Sequence, residues 1–210
     1  MEYIIISVLV GYLFGCIQPS YLIGKWKKAN IKSLGSKNAG ASNVTVVFGW
    51  KYGIFVALID ILKPVISVLF IGLLFSQQIH GNFEHFLYYA NGASVILGHN
   101  FPFYMQFKGG KGTASVIGLF FVINWKFALI GLLLFVLLTI LTNYIVIGAM
   151  ALYSVFSLST YLLDYGIYAL MTAGFLTILA VIIHRDNFIR IKNGEETGLR
   201  DAFHKERKLV

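Results

Sequence analysis

Residues 126–142 read KFALIGLLLFVLLTILT: one charge at the head, then sixteen residues with no charged or amide side chain and two hydroxyls. Nothing in the run alternates polar with apolar, so it is no barrel strand. In hydrocarbon its backbone must satisfy its own hydrogen bonds, and that requires an α-helix. Six more apolar runs lie at about 3–24, 52–75, 86–98, 113–124, 144–163 and 166–183. A chain of 210 residues that is 58% hydrophobic and 12% charged carries more apolar surface than a soluble domain of that size can bury. The sequence predicts an all-α polytopic membrane protein, a bundle of about seven transmembrane helices forming one domain over 1–210.

The formal charge of +8 suits nucleic acid in amount but not in placement. Six lysines (25, 27, 28, 32, 37 and 51) fall in the first connector and two (108 and 111) in another. Seven more basic residues (185, 190, 192, 200, 205, 207 and 208) fall in the tail, so 15 of 17 occupy three segments. The positive-inside rule puts all three in the cytoplasm, which leaves the N-terminus outside, the C-terminus cytoplasmic and no nucleic-acid partner. The first apolar run has its lysines after it, the reverse of a cleavable signal peptide. An even number of crossings then lies between 113 and 183. Breaks at NWK (124–126), TNY (142–144) and LDYG (163–166) favour four, hence seven spans, with five as the alternative; the runs at 86–98 and 113–124 are shorter than the roughly 20 residues a span needs.

GYLFG (11–15) is a small-xxx-small pattern suited to close helix packing, and the lone Cys16 beside it reads as a packing residue. Asp60 and Lys63 share one face of the second helix, roughly 14 to 18 Å past Lys51 along its axis. Charges at that depth are costly unless paired or facing a wet cavity. They form either a buried structural pair or a wall of the site.

The three basic connectors share one chemistry. LGSKNAGASNV (34–44), GHNFPFYMQFKGGKGTAS (98–115) and HRDNFIRIKNGEE (184–196) each combine glycine or small hydroxyls with asparagine and Lys, Arg or His. Glycines let a backbone approach a ligand and present N–H groups to an anion. GGKGT also runs directly into an apolar helix, whose N-terminal amides attract phosphate. Lipid attraction alone requires none of these donors, so the pattern points to an anion site. The lysine of GGKGT is followed by glycine, not Ser or Thr, so the segment is no P-loop. No His-x-x-x-x-Asp pair, G-x-S-x-G elbow or convincing metal cluster exists.

GYLFGCIQPSYLIGK, GSKNAGASNV, DILK, GHNFPFYMQFKGGKGTAS and HRDNFIRIKNGEE, in this order, resemble the bacterial membrane glycerol-3-phosphate acyltransferases that use acyl phosphate, the PlsY family. The resemblance spans about 11–196. It implies transfer of a fatty acyl group from acyl phosphate to the 1-hydroxyl of glycerol 3-phosphate, giving lysophosphatidic acid and phosphate, the first step of phospholipid synthesis. It further implies a multi-pass protein of the bacterial cell membrane with a cytoplasmic site, in contact with membrane lipid and using no cofactor or metal. The family's motifs map onto Gly35 to Asn43, Gly98 to Pro102, Phe107 to Gly112, and His184, Arg185, Asn187, Arg190, Gly194 and Glu196. Lys37 stands where glycine is usual, Ser42 where threonine is usual and Val46 where arginine is usual; Cys16 and Gln18 also depart.

By that resemblance Lys111, Ser36, His184 and Asn187 are the expected catalytic residues. Lys37, Asn38, Gly40, Ser42 and Asn43 are expected to bind substrate phosphate from the first connector. His99, Asn100, Lys108, Gly109, Gly110 and Gly112 do so from the second, and Arg185, Arg190 and Glu196 from the third. Acyl phosphate is already activated, so positioning and charge stabilisation can carry much of the barrier without a protein nucleophile. No general base stands out, and the resemblance suggests that the substrate's phosphate takes the proton. A phosphate-ester transporter, or an inactive family member serving as a scaffold, are the alternatives. Transport, however, needs access from both sides, and the charged motifs crowd one.

Overall fold

A computed structural model of the chain describes residues 1–200. Lys205, Arg207 and Lys208 of the basic tail lie outside the described residues. Each of the seven apolar runs is helical, and no strand occurs among the described residues. The helices are α1 (Glu2–Gly15), α2 (Pro19–Trp26), α3 (Ala41–Phe48), α4 (Trp50–Leu74), α5 (Asn82–Asn100), α6 (Thr113–Ile123), α7 (Trp125–Thr142), α8 (Ile145–Leu162), α9 (Ile167–Ile183) and α10 (Arg185–Lys192). By length and composition four stretches can cross a membrane: Glu2–Trp26, α4, α7 and α8. The pair α9 and α10, bent by 45° at His184, makes a fifth. These are not the five of the alternative, which counted the run at 86–98 and two long crossings after 113: four separate helices, α6 to α9, fill 113–183. α5 spans 19 residues but is diluted by Glu84, His85, Asn91, His99 and Asn100, and α6 has only 11 residues.

Local chemistry moves several boundaries from their expected places. The first run is not one helix: it breaks at Cys16–Gln18, where Pro19 opens α2. Proline disfavours the helical region for the residue before it, and Gln18 accordingly sits at φ −116°, ψ 89°. The third apolar run ends at 98, whereas α5 continues through His99 and Asn100. Asn124 ends α6 and caps α7, its side chain accepting from the Phe127 N–H at 3.2 Å. α3 and α10 are short amphipathic additions that apolar run length alone does not reveal.

Lipid offers no hydrophobic drive between helices, so close packing of small residues must supply the association. α1 and α5 meet this way. A Cβ at Gly11 would strike the Asn91 carbonyl, one at Gly15 the Val95 carbonyl, and one at Gly98 the Tyr12 carbonyl. Further along the bundle Tyr89, Phe120, Leu152, Phe156 and Leu176 knit α5, α6, α8 and α9 into one core. Leu133, Leu141, Met171 and Ile178 remain exposed, as residues facing hydrocarbon should. Lys63 and Asp60 are buried within α4, next to Pro64, whose missing N–H leaves the Asp60 carbonyl without its helical partner.

Candidate active site

The three polar connectors converge at one end of the bundle. Lys111, between the two glycines ahead of α6, donates through Nζ to the side-chain oxygen of Asn187 in α10. Asn187 in turn donates through Nδ2 to Glu196 Oε1 at 2.5 Å, and Glu196 Oε2 accepts from Arg190 Nε at 2.6 Å. This run of bonds fixes each group by the next. The carboxylate holds both Arg190 and the Asn187 amide, so the Asn187 oxygen must face the ammonium. Burial pushes the Lys111 pKa down to about 8, and the Arg190 charge adds to the effect; Glu196 and Asp186 oppose it.

His184 sits at the bend between α9 and α10, buried, with Nδ1 2.8 Å from the Ala180 carbonyl. A carbonyl only accepts, so Nδ1 carries the proton and Nε2 of the neutral ring is an acceptor. No side chain caps α6 at Gly112, and its first backbone bond is Val116 N–H to the Gly112 carbonyl. The positive end of that helix therefore starts beside Lys111.

The glycines of the central motif have a different duty from the one expected. Gly109 N–H donates to the Asn100 carbonyl at 2.8 Å and Gly110 N–H to the His99 carbonyl at 3.1 Å, so both amides are spent on the last turn of α5. Helix C-termini leave carbonyls without partners, and this loop folds back to satisfy two of them. A Cβ at Gly109 would meet the His99 carbonyl and one at Gly110 the His99 ring, which is why neither can be larger. Gly112, at φ 79°, packs against the Asn100 side chain in the left-handed conformation glycine tolerates best.

His99 itself is buried among charges, with Nδ1 2.6 Å from Lys63 Nζ and 3.3 Å from Asp60 Oδ1. Asn100 is buried behind Gly112. Both stand behind the loop.

In the first connector Asn43 is buried and serves the loop's own backbone. Its Nδ2 donates to the carbonyls of Ile31, Leu34 and Asn38, and its Oδ1 accepts from Ser36 N–H at 2.8 Å. That clamp presents Ser36 and Lys37 to solvent, with Lys37 held at φ 59°. Gly40 precedes α3, Ser42 is exposed on its first turn, and Asn38 lies against Gly40. Lys32 Nζ donates to the Met105 carbonyl at 3.4 Å and thereby joins the first connector to the second. Lys108 and Arg185 are exposed at the edge, outside the Lys111 network.

Three residues of this end carried no sequence signal read above as functional. Gln18 donates to the His99 carbonyl at 2.7 Å, Ser20 to the Ala39 carbonyl at 2.7 Å, and Tyr104 to the Cys16 carbonyl at 2.6 Å. A polar residue just before Pro19, where a span breaks, was the available hint for Gln18.

Known proteins resemble this chain in sequence and in fold. The profile of the family described as glycerol-3-phosphate acyltransferase matches residues 5–194. Glycerol-3-phosphate acyltransferase 1 of Oceanobacillus iheyensis is 44% identical over 97% of this chain and 99% of its own length. Glycerol-3-phosphate acyltransferase 2 of Thermotoga maritima is 35% identical over 90% and 92%. Two crystal structures of PlsY (YgiH), an integral membrane glycerol 3-phosphate acyltransferase, superpose at 28% identity. The glycerol 3-phosphate form gives a TM-score of 0.84 over 93% of this chain and 95% of that one. The lysophosphatidic acid form gives 0.82 over 96% and 98%. The chain belongs to the glycerol-3-phosphate acyltransferase family.

Proposed function

We propose that this protein, as one domain over 1–210, transfers an acyl group from acyl phosphate to the 1-hydroxyl of glycerol 3-phosphate at the cytoplasmic face of a bacterial cell membrane. The observation that carries this reading is the Lys111, Asn187, Glu196 and Arg190 network, a fixed cation beside a helix N-terminus at the end where the basic connectors meet. The related structures captured with glycerol 3-phosphate and with lysophosphatidic acid support substrate and product of this class. The basic residues gathered at that end support its cytoplasmic placement and an external N-terminus.

In the reaction the 1-hydroxyl oxygen attacks the acyl carbonyl carbon, the bond from that carbon to the phosphate oxygen breaks, and inorganic phosphate leaves with its electron pair. The hydroxyl proton passes to a phosphate oxygen, so no protein base is needed. Lys111 faces the phosphate charge that grows as the leaving group departs, with Asn187 setting its direction. Ser36 and Lys37, exposed on the Asn43-clamped loop, supply further donors. Lys37 contributes the cation that Val46 lacks. His184, at the bend ahead of α10, orients a substrate hydroxyl or phosphate through Nε2. Arg190 and Glu196 brace Asn187, while Lys108 and Arg185 draw anions to the entrance.

Purified protein in detergent, given acyl phosphate and glycerol 3-phosphate, should release phosphate and form lysophosphatidic acid in equal amounts. The same assay with acyl-CoA should give little turnover. Absence of lysophosphatidic acid, or comparable rates with acyl-CoA, would overturn the proposal.

A further inference from the structure

Asp60 and Lys63 belong to none of the loops that approach substrate, yet they sit at the crossing of three helices. Asp60 is 1% exposed, Lys63 2% and His99 2%. Lys63 Nζ lies 2.9 Å from Asp60 Oδ1 and 2.6 Å from His99 Nδ1. It also lies 3.3 Å from the carbonyls of Gly15 and Ile17, at the break that ends α1. His99 Nδ1 accepts from a charged Lys63, which has three protons and no lone pair, and in the other tautomer donates to Asp60 Oδ1 at 3.3 Å; either way the ring is tied to the pair. Lys63 therefore neutralises the negative end of α1, offsets Asp60 and fixes the His99 ring in one stroke.

That ring is what the loop rests on. Its Nε2 edge lies where a Gly110 Cβ would be, and the His99 carbonyl accepts both Gly110 N–H at 3.1 Å and Gln18 Nε2 at 2.7 Å. Gly109 is pinned in the same way one residue on, at the Asn100 carbonyl. The two residues ahead of Lys111 thus have their positions set by His99 and its helix end, and His99 is set by Asp60, Lys63 and Gln18. Buried ion pairs are poor sources of stability, and apolar replacements of similar volume are often tolerated or better. Two charges kept in the middle of a spanning helix therefore call for a role other than holding the fold.

We propose that Asp60 and Lys63 are positioning residues for Lys111, acting through His99 with Gln18 as the second brace, so that this intramembrane ion pair sets the geometry of the acyl-transfer site. The proposal rests on Lys111 serving the reaction proposed above. It accounts for the placement of DILK in a helix that contributes nothing else to the site.

The test replaces the pair with apolar residues of similar size, Asp60→Leu with Lys63→Met, and removes the brace separately with Gln18→Leu. The pair variant should fold, with some loss of thermal stability because the Gly15 and Ile17 carbonyls lose their donor, and should lose roughly ten- to a hundredfold in kcat, the range a displacement of about 1 Å produces, with KM for glycerol 3-phosphate within about threefold. A second readout does not need turnover: the pH dependence of reductive methylation at Lys111, followed by mass spectrometry. Its midpoint should lie near 8 in the native protein and rise by about one pH unit in the pair variant, as the loosened loop admits water. An unchanged midpoint in the folded pair variant overturns the proposal whatever the enzyme does. Should the pair variant fail to fold, Gln18→Leu decides: unchanged kcat and an unchanged midpoint overturn it. A native protein without turnover, but with the midpoint shifting as stated, overturns the functional reading and leaves the positioning role standing.

Discussion

Lys111 donates to the side-chain oxygen of Asn187, 76 residues later in the chain. The bond ties the loop ahead of α6 to the helix after α9 through a partly desolvated ammonium. Hydrogen bonds to charged groups are worth about 1.5 to 3 kcal/mol, and more when they form chiefly in the transition state. Lys111→Ala should therefore lower kcat/KM at least roughly a hundredfold at about 1.4 kcal/mol per decade, with the fold intact. Lys111→Arg should recover little, because a planar fork cannot sit between two glycines against Asn187 as a point charge does. Near-native phosphate release from folded Lys111→Ala would show that the lysine serves lipid headgroups instead.

The same lysine gives a pH dependence with a definite sign. Its pKa in the free protein, about 8, lies below that of an ordinary lysine because burial disfavours the charged form. The charged form is the one that meets phosphate. As pH rises through about 8 the free enzyme loses that charge, so kcat/KM should fall above this point. Bound phosphate favours the ammonium and raises its pKa, so the basic limb of kcat should lie at higher pH than that of kcat/KM. Asn187→Asp places an anion beside Lys111 and should move the kcat/KM limb upward. Profiles with no descending limb between pH 7.5 and roughly 9.5 would separate Lys111 from the rate.

What the sequence makes legible here follows from range. Run length and the absence of alternation are local properties, so all seven helical segments are legible in composition, whereas the break at Pro19 lies inside one continuous apolar run. The basic connectors could be grouped because charge placement obeys the membrane as a whole. The duty of Gly109 and Gly110 could not be read, since it depends on α5 continuing to Asn100 and offering its last carbonyls to the loop. His99 looked like a phosphate ligand beside that loop, and only the approach of α4 reveals that Lys63 already occupies its Nδ1. Asn43 shows the same limit: its amide serves three carbonyls of its own loop, and no spacing rule distinguishes a clamp from a ligand.

The glycine geometry separates two kinds of substitution. Gly110→Ala drives a methyl into the His99 ring and should displace Lys111, lowering kcat at least about tenfold by the cost of misplacing a reacting group. Gly174 lies in α9 with no atom within 4 Å of a would-be Cβ. Gly174→Ala should leave turnover unchanged and improve thermal stability, since alanine favours a helix by about 1 kcal/mol over glycine. Parallel assays of the two variants check this, and equal activity would remove His99 as the surface on which the loop rests.

The orientation of the bundle can be tested without reference to catalysis. Lys28 follows α2 and Lys108 lies in the loop ahead of α6, and both belong to the end where Lys32 meets Met105 and Lys111 meets Asn187. Asn82 opens α5 after the turn that follows α4, at the other end of that helix. Excess Lys and Arg hold loops in the cytoplasm, so the first two positions should be inaccessible from outside and the third accessible. Both lysines and Asn82 are exposed, so each can take a cysteine without disturbing packing. In a Cys16→Ser background, single cysteines at 28 and 108 should resist an impermeant thiol reagent in intact cells and react after permeabilisation. A cysteine at 82 should react at once. Labelling at 108 in intact cells would turn the bundle over and put the Lys111 site on the outer face, where the positive-inside rule forbids so dense a cluster of lysines.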